Sequence, residues 1–175
     1  MRGTRHLCPA LSHLLGIGIA VLTATAVLLH PWCRSEPDAP AVLAKESTFN
    51  PWAESRLLDL VNRTRSRFGL RPLVMTRALQ MAAREHSQDM AIRGYVGHDT
   101  PEGITVRDRL ARVIKPPLLV GENVATGQSA ELAHRALVAS PPHLRNILAA
   151  KFHRVGIGIV FEEQRGLIIT EDFSE

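Results

Sequence analysis

Three side chains in this sequence have types and settings suited to chemistry. His98 lies in Gly97-His98-Asp99-Thr100, Glu122 in Gly121-Glu122-Asn123 where a short strand hands over to a loop, and His143 in the first turn of a helix opened by Ser140-Pro141-Pro142. Two imidazoles and a carboxylate suit a divalent ion such as Zn²⁺, which accepts His nitrogen and Glu oxygen and keeps a position open beside three protein ligands. The same set suits general acid and base work. Each residue also has an ordinary reading: His98 as a turn residue bonded to its neighbours, Glu122 as the cap of the following turn, and His143 as a helix-start residue whose charged form the dipole disfavours. More than twenty residues separate each from the next, and no HExxH-like pattern is present, so spacing leaves these readings open.

Other residues attract less. A Ser140–His143 hydrolase pair fails because Ser before Pro at a helix start reads as a cap, and no Gly-x-Ser-x-Gly elbow exists. His86 falls on the inner stripe of a helix and reads as a hydrogen-bonded core residue, while His134 and His153 have no visible company. The sequon Asn62-Arg63-Thr64 falls inside a helix and is discounted.

The elements that must position these residues follow from periodicity. A helix is predicted from about Pro51 to Phe68, with Leu57, Leu58, Val61 and Phe68 inward, arginines on the other face and Gly69 as its stop. Arg71-Pro72-Leu73 forms an extended link. A second helix runs from about Thr76, as N-cap, to Arg93, with Leu79, Ala82, Ala83, His86 and Met90 inward and Gly94 closing it. Thr105-x-x-Asp108 resembles a capping box opening a helix through Val106, Leu110 and Val113, stopped by Lys115-Pro116-Pro117. Leu118–Val120 reads as a short strand, Ser129 to Ala139 as a helix, and Ser140 with Pro141 as the start of another. A hairpin closes the chain, Val155–Phe161 and Leu167–Phe173 around Glu163–Gly166. Helices first and an antiparallel pair late give an α+β architecture of helices packed on a small sheet.

Composition places this domain outside the cytoplasm. Arg2, Arg5 and His6 precede an apolar stretch from about Leu14 to Leu29, and positive charge on the short leading side sends the remainder across. Residues 1–34 are therefore a signal peptide, cut after Ala24-Thr25-Ala26, or a signal anchor; Val27-Leu28-Leu29 continues the apolar run past that site and favours the anchor. Residues 35–48 read as a linker, leaving 49–175 as one domain with one core. Cys8 and Cys33 flank the apolar stretch and no cysteine follows, so the domain stands without disulfides. A net charge of +4 spread along the chain, with only 5% aromatics, offers no stacking platform for bases, and nucleic acid is not an expected partner.

Several stretches in order resemble the CAP superfamily (cysteine-rich secretory, antigen-five and pathogenesis-related proteins) in its short, disulfide-free bacterial form. They are LLDLVNRTRSRFGLRPL, ALQMAAREHSQDMA, VGHDT, GENVATG, SPPHLRNILAAKFHRVGIG and ITEDF. The resemblance implies a three-layer α-β-α sandwich with a cleft lined by two His and two Glu, to which His98, Glu122 and His143 contribute three. In many eukaryotic relatives the second Glu follows a Trp by three residues. Here Leu137-Val138-Ala139-Ser140 occupies that stretch, which puts chemistry needing both carboxylates in doubt and suggests looser packing where the Trp is lost. Ser140 and Asn123 are expected to line the cleft, with His98 and His143 as metal ligands. The matched motifs, together with export and the missing nucleophile, point to a binding module for a lipid, envelope component or protein. The alternatives are an envelope hydrolase with Glu122 as base beside the two histidines, and a structural protein in which the three residues serve only their own loops.

Overall fold

Asn50 opens the first helix, α1 (Pro51–Arg67), because its side chain accepts a hydrogen bond from the Ala53 amide at 3.0 Å and Pro51 is pre-set for the first helical position. The computed structural model describes residues 49–115 and 119–175. The expected apolar segment and linker, both cysteines and part of the Lys115–Val120 stretch lie outside the described residues. Among those described, no helix is long and apolar enough to cross a membrane.

The remaining elements are β1 (Val74–Met75), α2 (Arg77–Arg93), α3 (Val106–Ala111), β2 (Val120–Gly127), α4 (Ala130–Ala139), α5 (Pro141–Leu148), β3 (Arg154–Glu162) and β4 (Gly166–Ser174). The sheet runs β1-β3-β4-β2, with β1 parallel to β3 and the other pairs antiparallel. Side chains alternate across it. Ile157, Ile159, Ile169 and Phe173 meet Leu57 and Val61 of α1, Leu137 of α4 and Ile147 of α5 in the main core. On the opposite face α2 lies close over β3, where a Cβ on Gly156 or Gly158 would sit 2.1 or 2.3 Å from α2 backbone atoms. Leu79 and Ala82 of α2 form a smaller cluster with Leu110 of α3. This is the α-β-α sandwich expected from the sequence.

Several local expectations are corrected. Phe68 is exposed at the end of α1, since the helix closes one residue earlier. Not all arginines of α1 face outward. Arg65 is 1% exposed, and its guanidinium donates to the carbonyls of Arg71, Ile147, Ala149 and Phe152 at 2.7–3.2 Å. Five donors in a rigid fork suit a cluster of carbonyls left open at the end of α5. The link after Pro72 contains a two-residue strand, held because Asn62 bonds both the amide and the carbonyl of Leu73. Thr76 occupies the N-cap position of α2 without a side-chain cap bond. The α3 helix is shorter than expected, and Val113 is exposed beyond it. Leu137 is 2% exposed within the core, so the site of the missing Trp is filled rather than loose.

The largest correction concerns Gly121-Glu122-Asn123. Its composition reads as a loop, yet it lies inside the eight-residue strand β2, paired through its whole length with β4. Strand propensity is weak against ladder pairing with a buried neighbour. Glu122 therefore projects from a rigid strand and not from a turn.

Candidate functional site

Three elements bring the candidate residues together. β2 supplies Glu122, the loop after α2 supplies His98, and the first turn of α5 supplies His143. Gly94, in the left-handed conformation at φ 77°, ends α2 and donates its amide to Met90. His86 on α2 then fixes the loop by bonding the Gly97 carbonyl at 2.9 Å, which is the core role expected of it. His98 follows directly, its Nδ1 2.8 Å from Glu122 Oε1. A carboxylate only accepts, so Nδ1 carries the hydrogen and Nε2 faces away from Glu122.

The other oxygen of Glu122, Oε2, is bound by the Arg109 guanidinium. Arg109 also donates to the carbonyls of His98 and Ile104, at 2.9 and 3.2 Å, so one side chain holds both the carboxylate and the loop. The capping box at Thr105 and Asp108 fixes the helix that carries it: each side chain bonds the other residue's amide. The sequence reading missed Arg109. The signal was available, because position 109 falls three residues after Val106 and beside Leu110 on the inward face of α3.

A second acid was also missed. Asp172 stands opposite Glu122 in the β2–β4 register, is fully buried, and neither of its oxygens has a hydrogen-bond partner. Burial first, and then the neighbouring Glu122 charge, push its pKa well above the usual carboxylate range. The Arg109 cation thus binds one carboxylate of the cluster, Glu122, with the raised Asp172 carboxyl beside it. Its neighbour Glu171 points to the other face, where Asn123 donates to it at 2.9 Å. Burial raises that carboxyl to about 7.

Asn123 ties in the last element. Its amide also donates to the His143 carbonyl at 3.2 Å, while Asn146 donates to Asn123 Oδ1 and to the Glu122 carbonyl, both at 2.9 Å. These bonds pin the first turns of α5 to β2. His143 is close enough to feel the charge of His98, although burial is the larger cause of its lowered pKa. His98 is shifted the opposite way, upward, chiefly by its hydrogen bond to Glu122. Ser140 is half-buried at the N-cap of α5, and its hydroxyl makes no bond to the helix amides. Of the remaining histidines, His134 does have company: it is buried and bonded to Thr64 Oγ1 at 2.9 Å.

The expected set of two imidazoles and a carboxylate around one ion is not what this geometry offers. Among the described residues, no group of three His, Cys, Asp or Glu side chains is arranged to hold a metal. Glu122 is occupied on both oxygens, by His98 and by a cation. By donor chemistry the imidazoles of His98 and His143 remain, with Glu122 bonded to His98 Nδ1 as the partner that orients that ring from behind.

Comparison with known proteins agrees with the architecture. Residues 58–173 match the model of the CAP, cysteine-rich secretory protein family. The uncharacterized protein YkwD of Bacillus subtilis is 33% identical over 121 residues, a match taking 69% of this chain and 46% of that protein. An extracellular protein containing an SCP domain from Bacillus anthracis is 30% identical with a TM-score of 0.64, covering 71% of this chain and 40% of the other. An outer surface protein from Borrelia burgdorferi shares the fold at 17% identity, with a TM-score of 0.68 over 74% of this chain and 98% of its own. The chain thus spans less than half the length of the two Bacillus relatives.

Proposed function

This chain belongs to the CAP family of cysteine-rich secretory proteins, and from that premise we propose that it is an extracytoplasmic binding module, held at the membrane by its N-terminal apolar segment. Its cleft presents His98 and His143 to a lipid, an envelope component or a protein partner. Export is supported by the charge and apolar pattern of residues 1–34 and by two relatives described as extracellular and outer-surface proteins.

One observation carries the binding reading. Both Glu122 oxygens are engaged, one by Arg109 and one by His98, and its side chain is 2% exposed. A general base needs a free lone pair within reach of its substrate. Glu122 instead acts as the support on which His98 stands, which weighs against the hydrolase alternative. What the cleft offers is a pair of imidazoles, His98 exposed and His143 partly buried. A divalent cation on that pair would supply an attraction for carboxylate or phosphate oxygens of a ligand.

Calorimetry on the full chain in detergent tests this reading with Zn²⁺ as the probe. Binding at about micromolar Kd, or ~8 kcal/mol, is expected, and is lost in His98→Ala and in His143→Ala. Binding that persists in both variants would place the ion elsewhere, and no binding to the wild-type chain would remove the cation from the account. Turnover of an envelope peptide that disappears in Glu122→Gln while the fold is retained would reinstate the hydrolase.

A further inference from the structure

Large apolar side chains stand exposed at the end of the domain where the described chain begins. Trp52 is 74% exposed, Phe161 58% and Leu132 44%. The backbone places them together. Phe49 bridges Val160, and the Asn50 amide donates to the Ile159 carbonyl at 3.0 Å, so the start of α1 lies beside the end of β3. Phe161 is in register with Leu167, which is in register with Gly127, and a Cβ on Gly127 would lie 3.1 Å from Ala133, next to Leu132. The Arg56–Glu131 ion pair, at 2.6 Å, joins the second turn of α1 to the first turn of α4.

We propose that this end, carrying Trp52, Phe161 and Leu132, is a lipid-facing surface that seats the domain on the membrane interface. The inference rests on the membrane-anchor reading above. If residues 1–34 hold the chain in a bilayer, the fourteen residues 35–48 reach at most ~50 Å even when fully extended. Tethering then raises the local concentration of the domain at the interface far above that of a free domain. Tryptophan favours the headgroup region, where its ring is half in hydrocarbon and its N–H remains wet. Phe68 is also exposed, but at the far end of α1, where the chain does not enter. The histidine cleft lies five residues back along β2 from Gly127, about 17 Å at strand spacing, so seating this end on lipid leaves the cleft clear of the surface.

The chain has two tryptophans, so Trp32→Phe leaves Trp52 as the sole emitter. That full-length variant is incorporated into vesicles of phosphatidylcholine and phosphatidylglycerol, with flotation measured alongside fluorescence. Bromine-labelled phosphatidylcholine is expected to quench Trp52 by about twofold, and added Phe161→Ser and Leu132→Ser to reduce that quenching by about half, since a ring held in the interface lies within reach of the label. Phe68→Ser is expected to leave it unchanged. A chain that floats with the vesicles while Trp52 is quenched by aqueous iodide and not by bromine-labelled lipid overturns the surface and leaves the anchor standing. A chain that does not float overturns both.

Discussion

The two faces of the sheet solve the burial of acids differently. Glu171 and Asp172 are adjacent on β4 and therefore point to opposite sides. Glu171 enters the face covered by α1, α4 and α5, where the core is hydrocarbon and its partner is the neutral amide of Asn123. Asp172 enters the face covered by α2 and α3, where Glu122, Arg109 and His86 are already buried. His86 Nε2 lies 3.9 Å from Glu122 there, and His86 Nδ1, Arg109 Nε and both Asp172 oxygens have no hydrogen-bond partner. One face builds stability from packing and tolerates one raised carboxyl. The other concentrates charge around a single guanidinium, and Glu122 and Arg109 there both bond His98. Where a fold keeps costly buried polar groups, a positioning role is the reading to test first.

Removing the cation breaks the comparison most severely. Arg109→Met leaves buried Glu122 with His98 as its remaining partner and Oε2 without its cation, with an expected loss of about 3 kcal/mol in urea unfolding. Adding Glu122→Gln is expected to recover much of that loss, and a double-mutant cycle measures the coupling. A loss below ~1 kcal/mol would mean that the α2–α3 face is not organised around this pair.

Gly158→Ala tests how tightly the same face is closed. The added methyl would fall 2.3 Å from α2 backbone, so the helix must lift from β3, and a loss of about 2–3 kcal/mol is expected in thermal or urea unfolding. At the β2 edge the close approach is softer, because a methyl on Gly121 would meet the side chains of Phe152 and Asn146 rather than helix backbone.

Glu171→Gln sharpens the opposite side. The folded carboxyl keeps its proton to about 7, whereas the unfolded one releases it near 4.5. Between those values the unfolded state binds fewer protons, so this group makes stability fall as pH rises through that window. Glutamine retains the acceptor for Asn123 and removes the titration, so the wild-type-minus-variant difference should change by on the order of 2 kcal/mol between pH 4.5 and 8. An unchanged difference across that range would show that Glu171 ionises normally.

The smallest effect concerns His98 alone. Its proton is held by Glu122, so NMR titration should place its pKa above ~6.5 in the wild type and lower it in Glu122→Gln. Stability from that bond is present below ~6.5 and is lost as pH rises through the folded value. Equal values in the two proteins would separate His98 from Glu122 in solution.

The helices were legible where apolar spacing and end signals coincide: the first begins at Pro51 and Gly94 closes the second, and Thr105 with Asp108 forms the expected box. The hairpin was legible from two β-branched runs around a glycine turn. His98, Glu122 and His143 were legible as candidates, since they fall in motifs that resemble a family, while their chemistry was not. Local composition carries information about which backbone a stretch prefers. It carries none about which strand will pair with it, and so Gly121-Glu122-Asn123 read as a loop until β4 made it a strand. For the same reason Arg109 and Asp172, 63 residues apart in sequence numbering, could not be seen to share Glu122. Sequence alone determined the elements and the residues available for a cleft. Only the tertiary structure decided that Glu122 is buried between Arg109 and His98, because that burial and charge pairing arise from contacts distant along the chain.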